Sequence, residues 1–163
     1  MATPTTTQPY RLRDGEGEPI WFLGNLVTIK ASGAATRGQL SVVEFLNPAG
    51  FAPPLHRHRD EDEMFYVLSG DAVVHCEGPA FDVGPGDFVF LPSGLAHTFR
   101  VGGEAPLRVL QITAPAGFEA FAAEAGERAR ERRLPEPAPI DGARLATISA
   151  RHGIEILGPP PTE

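Results

Sequence analysis

Seven stretches rich in Val, Ile, Leu and Phe follow one another between Ile20 and Ala114, at residues 21–30, 39–46, 64–68, 72–76, 88–91, 97–101 and 107–113. Turn-forming residues punctuate them: Gly33, Asn47-Pro48, Ser69-Gly70-Asp71, Gly84-Pro85-Gly86 and Gly102-Gly103. Short β-prone runs between glycine turns predict an all-β sandwich or barrel. The period then changes. Phe118, Phe121, Ala122, Ala125 and Ala129 recur at helical spacing, opposite Glu119, Glu124, Glu127, Arg128 and Glu131, which predicts one amphipathic helix running into the arginines at 128, 130, 132 and 133. After a Pro-rich linker at 135–139, Asp141 is placed to cap a short helix carrying Leu145 and Ile148, which Gly153 ends and whose dipole His152 complements. A last strand at 154–157 and a frayed tail at 159–163 complete the chain. The expected organisation is a flexible leader over 1–18, a β-barrel over 19–114 and a helical extension with its tail over 115–163.

At 163 residues and 42% hydrophobic content, the chain makes one domain that buries about two thirds of its unfolded surface. A formal charge of −7 argues against nucleic acid or an anionic membrane as partner. Cys76 is the single cysteine, so no internal disulfide forms, and no apolar run reaches membrane-spanning length. The Thr-rich start lacks the apolar centre of a secretion signal, and a cytoplasmic location is expected.

Five histidines focus the chemistry. On an extended strand, His56 and His58 project to the same side. With a carboxylate from the next turn and a third imidazole from a distant hairpin, they would suit Fe, Mn, Ni, Co or Zn better than Ca or Mg. Alone, such a pair beside the acidic segment 60–63 also reads as a solvated surface feature. The wider spacing separates these readings. Gly50, five residues, His56-x-His58, four residues, Glu63, six residues, Gly70 is followed, after fifteen intervening residues, by Gly86, five residues, Pro92-x-Gly94, two residues, His97.

In this register the sequence resembles the cupin superfamily, single-domain type, over about residues 40–113. The resemblance implies a double-stranded β-helix (jelly-roll) barrel with C-terminal helices packed on it. It also implies one divalent transition metal ion (Ni, Fe, Mn, Co, Zn or Cu) held by His56, His58, Glu63 and His97. Val101 stands where the second motif often has Asn, a position that is not a ligand. Glu63 is preferred to Asp62 because Gly70 then falls in register; Glu61 does not. The layout further resembles quercetin 2,3-dioxygenase-like proteins through Trp21-Phe22-Leu23-Gly24, Pro53-Pro54-Leu55-His56, the run from Gly86 to Pro92, and Thr113-Ala114-Pro115-Ala116-Gly117-Phe118-Glu119.

That likeness implies a dioxygenase using O2 on a small, flavonol-like aromatic enol, with Glu63 as the base and a homodimer as the assembly. Phe65 and Val67 share a face with Glu63, and Phe99 and Val101 share one with His97, so the four are candidates for an apolar substrate cavity or for barrel core. Two alternatives are a metal-dependent polyketide cyclase or isomerase and a non-enzymatic metal- or ligand-binding module. Phe118 and Phe121 are read as helix-on-barrel packing, Cys76 as a small buried apolar residue, and His75 as structural or surface.

Overall fold

A computed structural model describes residues 8–160 and 162. The chain runs β1 (Glu18–Phe22), β2 (Asn25–Ala31), α1 (Gly33–Thr36), β3 (Ser41–Asn47), β4 (Leu55–His58) and β5 (Asp62–Ser69). It continues through β6 (Ala72–Cys76), β7 (Phe81–Val83), β8 (Phe88–Leu91), β9 (His97–Val101) and β10 (Leu107–Ala114). The end comprises α2 (Phe118–Ala125), β11 (Glu127–Arg128), α3 (Gly142–Arg151) and β12 (Ile154–Gly158). Two antiparallel sheets result, of order β11-β1-β2-β3-β10-β5-β8 and β12-β4-β9-β6-β7, giving a jelly-roll β-barrel.

Alternation along the central strands decides which side chains enter the barrel. On β10, Leu107, Val109, Gln111 and Thr113 are buried while the residues between them are not. Pairing of β10 with β3 and β5 stacks these positions in rungs: Thr113 with Ser41 and Glu63, Gln111 with Val43 and Phe65, Val109 with Phe45 and Val67. The rungs grade from polar at one end to hydrocarbon in the middle. On the outer face, Tyr66, Phe88 and Phe90 remain exposed.

Three expectations need correction. Residues 21–30 form a hairpin, because Leu23 (φ 52°) and Gly24 (φ 80°) both adopt the left-handed conformation of a two-residue turn. The helix starting at Phe118 stops at Ala125. Gly126 turns the chain extended, and a Cβ there would sit 2.5 Å from the Trp21 carbonyl oxygen. Beyond it, Glu127 and Arg128 pair with Trp21 and Ile20, and the Ala129 N–H donates to the Pro19 carbonyl at 3.0 Å. The open edge of β1 thus outcompetes a helix that glycine already weakens. The arginines therefore occupy no helix end; Arg132 instead donates to the Gly15 and Gly17 carbonyls at 2.6 and 2.8 Å.

Within the described part of the leader, Tyr10 also donates its hydroxyl to the Lys30 carbonyl at 2.7 Å. Residues 1–7 of the expected leader, and 161 and 163 of the expected tail, lie outside the described residues. The short α1 and β7 carry no periodic signal in the sequence. The second C-terminal helix is capped as its sequence suggests, the Arg144 N–H donating to Asp141 Oδ1 at 3.0 Å. No helix among the described residues is long and apolar enough to cross a membrane.

Gly70 and Gly50 separate two costs of adding a Cβ. Both have left-handed φ, 82° and 74°, but only at Gly70 would the new carbon collide with the Pro106 carbonyl. Gly50→Ala should lower stability by about 1 kcal/mol and Gly70→Ala by about 2 kcal/mol or more, measured by denaturant unfolding.

Candidate metal centre

Strand β4 lies between β9 and β12, and His56 stands directly opposite His97 of β9. The buried Glu63, near the start of β5, reaches the same point from the larger sheet. Ligand-capable atoms of His56, His58, Glu63 and His97 all fall within 4.8 Å of one another. His97 Nε2 is 2.7 Å from Glu63 Oε2, and His58 Nε2 is 3.5 Å from the same oxygen. His58, Glu63 and His97 are only 2–3% exposed.

The outer nitrogens of the rings are occupied by the barrel wall. His56 Nδ1 lies 2.7 Å from the Pro54 carbonyl, His97 Nδ1 lies 3.2 Å from the Leu95 carbonyl, and His58 Nδ1 lies 2.8 Å from Glu61 Oε2. This orientation turns the three Nε2 atoms inward. His58 Nε2 is buried without a hydrogen-bond partner. An unpartnered imidazole nitrogen beside a buried carboxylate is what a divalent cation satisfies, so the donor set fits a transition metal.

Electrostatics point the same way. Burial alone would raise the Glu63 pKa, but His58, the hydrogen-bonded His97 and His56 outweigh it and bring it to about 2. Burial, reinforced by His97, lowers His56 to about 4 and keeps that ring neutral with its lone pair available. Burial also opposes charge on His58, yet Glu63 and Glu61 raise its pKa overall.

Beside the cluster is a cavity of about 60 Å³, with Phe65, Phe99, Phe118 and Phe121 in its wall. Phe118 packs on the barrel and also faces the site, its ring 6.3 Å from that of His58. Val67 lines a separate void of about 10 Å³, and Val101, 1% exposed, lines neither. Each two-residue step along a strand moves a side chain about 6.7 Å deeper, which takes these valines into the core. A larger groove of about 440 Å³ on the outside, beside Trp21 and the 135–141 segment, carries no histidine.

The other histidines stay outside the cluster. His75 faces Thr98 in the strand register, and His152 caps α3 with its Nε2 2.6 Å from Glu124. Cys76 is half-buried, and burial followed by Glu77 pushes its thiol pKa up. Glu61 is the residue that motif spacing missed. It lies outside the four-residue set but is buried and holds His58, and a Cβ on Gly117 would collide with its carboxylate. Its three-residue offset from His58 is the only sequence signal it carries.

Residues 42–113 match the family model of the Cupin domain. A quercetin 2,3-dioxygenase of Bacillus subtilis (strain 168) is 34% identical over 98 residues, covering 60% of this chain and 29% of that protein. An oxalate-binding protein of Thermotoga maritima is 34% identical over 65 residues, covering 40% of this chain and 54% of that protein. The chain thus spans less than a third of the first and about half of the second. Among solved structures, a predicted oxalate decarboxylase from Thermotoga maritima matches with a TM-score of 0.59 and 24% identity, over 65% of this chain and 99% of that one, a likeness of fold.

Glu61→Gln keeps the shape of the side chain and removes its charge. Calorimetric titration with Zn²⁺ should show affinity falling about tenfold or more. His75→Ala should leave it unchanged.

Proposed function

We propose that this chain, whose residues 42–113 match the Cupin domain model, is a metal-dependent dioxygenase acting with O2 on a flavonol-like, quercetin-type aromatic enol. One observation carries the proposal: an ionised carboxylate ringed by three imidazoles opens onto a cavity walled by phenylalanines. The similarity to a quercetin 2,3-dioxygenase supports it. A divalent transition ion held by His56, His58, Glu63 and His97 would supply Lewis acidity and the capacity to engage O2.

The protein's own groups account for binding and proton transfer. Phe65 and Phe99, with ring centroids 5.8 Å apart and planes at 72°, offer edges and faces to a planar ring. Glu63 accepts the enol hydroxyl proton on a carboxylate oxygen. A carboxylate held near 2 is a weak base, so the transfer depends on positive surroundings that stabilise the departing enolate. Phe118, Phe121 and Ile156 cover the cavity and keep water from the reacting atoms. The homodimer belongs to the same proposal.

Cavity size favours a second assignment. About 60 Å³ is below the roughly 300–1,000 Å³ of ordinary ligand sites, so a flavonol requires the cavity walls to move apart. A compact β-dicarbonyl substrate needs less movement, and a metal-dependent cyclase or isomerase would process it without consuming O2.

Oxygen uptake by metal-loaded protein decides between them. With a panel of flavonols, O2 consumption should match flavonol loss, and Glu63→Gln should slow both at least about a hundredfold, with metal content assayed alongside. Turnover of an enolisable β-dicarbonyl compound without O2 uptake would favour the cyclase, and binding without turnover would leave a ligand-binding module.

A further inference from the structure

Three amide side chains, Asn25, Asn47 and Gln111, lie on the cavity wall where a barrel core would ordinarily place hydrocarbon. Asn25 Nδ2 donates to the carbonyls of Phe22 and Leu23 at 3.0 and 3.2 Å. Its Oδ1 therefore faces Asn47 and accepts from Asn47 Nδ2 at 2.8 Å. This relay fixes the Asn47 amide and leaves Asn47 Oδ1 as a buried acceptor without a partner.

Gln111 occupies the rung next to Glu63. It is paired with Phe65, while Thr113, two positions along, is paired with Glu63. Gln111 is 4% exposed, and its Nε2 also lacks a partner. A buried polar atom left unbonded destabilises the fold, a loss that an apolar side chain of similar shape avoids. One orphaned donor and one orphaned acceptor thus share a cavity with the His–Glu cluster. Phe45 and Val109 lie in the rung between them.

We propose that Gln111 and Asn47 are substrate-binding residues. Gln111 Nε2 donates to a carbonyl oxygen next to the substrate's enol oxygen, and Asn47 Oδ1 accepts from a hydroxyl farther out. The inference rests on the enol-binding function proposed above and narrows its substrate class: an enol with an adjacent carbonyl, an apolar body and an outlying hydroxyl.

The test uses Zn²⁺-loaded protein, whose redox-inert ion separates binding from turnover. Maltol, a one-ring 3-hydroxy-4-pyranone, is the first probe. Gln111→Met should weaken maltol binding at least tenfold, leave zinc content unchanged, and leave the melting temperature equal or higher because the unbonded amide is gone. Quercetin, with outlying hydroxyls, should bind at least tenfold more tightly than 3-hydroxyflavone, which has none. Unchanged maltol affinity in Gln111→Met, a lower melting temperature, or no maltol binding by the unsubstituted protein would overturn the role of Gln111. Equal affinity for the two flavonols would overturn that of Asn47. If protein loaded instead with Fe²⁺, Mn²⁺, Co²⁺ or Ni²⁺ takes up no O2 while these binding differences stay intact, the dioxygenase function is defeated and the binding assignment stands.

Discussion

A carboxylate at the centre of a β-barrel persists only where positive charge or hydrogen-bond donors meet it. Glu63 is 3% exposed and lies on the inner face between two sheets. Isolated there, it would take up a proton or destabilise the fold. The three imidazoles reverse that outcome by holding the carboxylate ionised. Everything that orients those rings, from the β4–β9 pairing to the Pro54 and Leu95 carbonyls and Glu61, therefore serves the charge balance as well as the site.

The C-terminal segment completes this environment. β12 adds a strand beside β4, placing Ile156 opposite His56 and Ile154 opposite His58. Helix α2 brings Phe118 and Phe121 over the barrel, where both pack edge-on against Phe22. One set of aromatic contacts thereby supplies hydrophobic burial and an apolar wall for the cavity, so the lowered local polarity strengthens each electrostatic contact within it. The amides of Asn25, Asn47 and Gln111 interrupt that wall.

Local pattern made several elements legible. Strands β6, β8 and β9 coincide with the apolar runs at 72–76, 88–91 and 97–101. The two histidine-bearing motifs also named the four residues that the structure gathers into one cluster. What escaped depends on partners distant in sequence. Helical spacing continued to Ala129, yet the free edge of β1 captured residues 127–128. Glu61 looked misplaced because its role is fixed by contact with His58 rather than by motif spacing. Gln111 fits the alternation of β10 as well as an apolar residue would; only its unbonded amide beside the cavity distinguishes it.

The convergence of three rings and one acid on a single ion is open to X-ray absorption spectroscopy of the nickel- or zinc-loaded protein. The predicted spectrum has one ion per chain with three imidazole nitrogens and one carboxylate oxygen among its nearest neighbours. Fewer than three imidazoles, or a sulfur neighbour from Cys76, would contradict it.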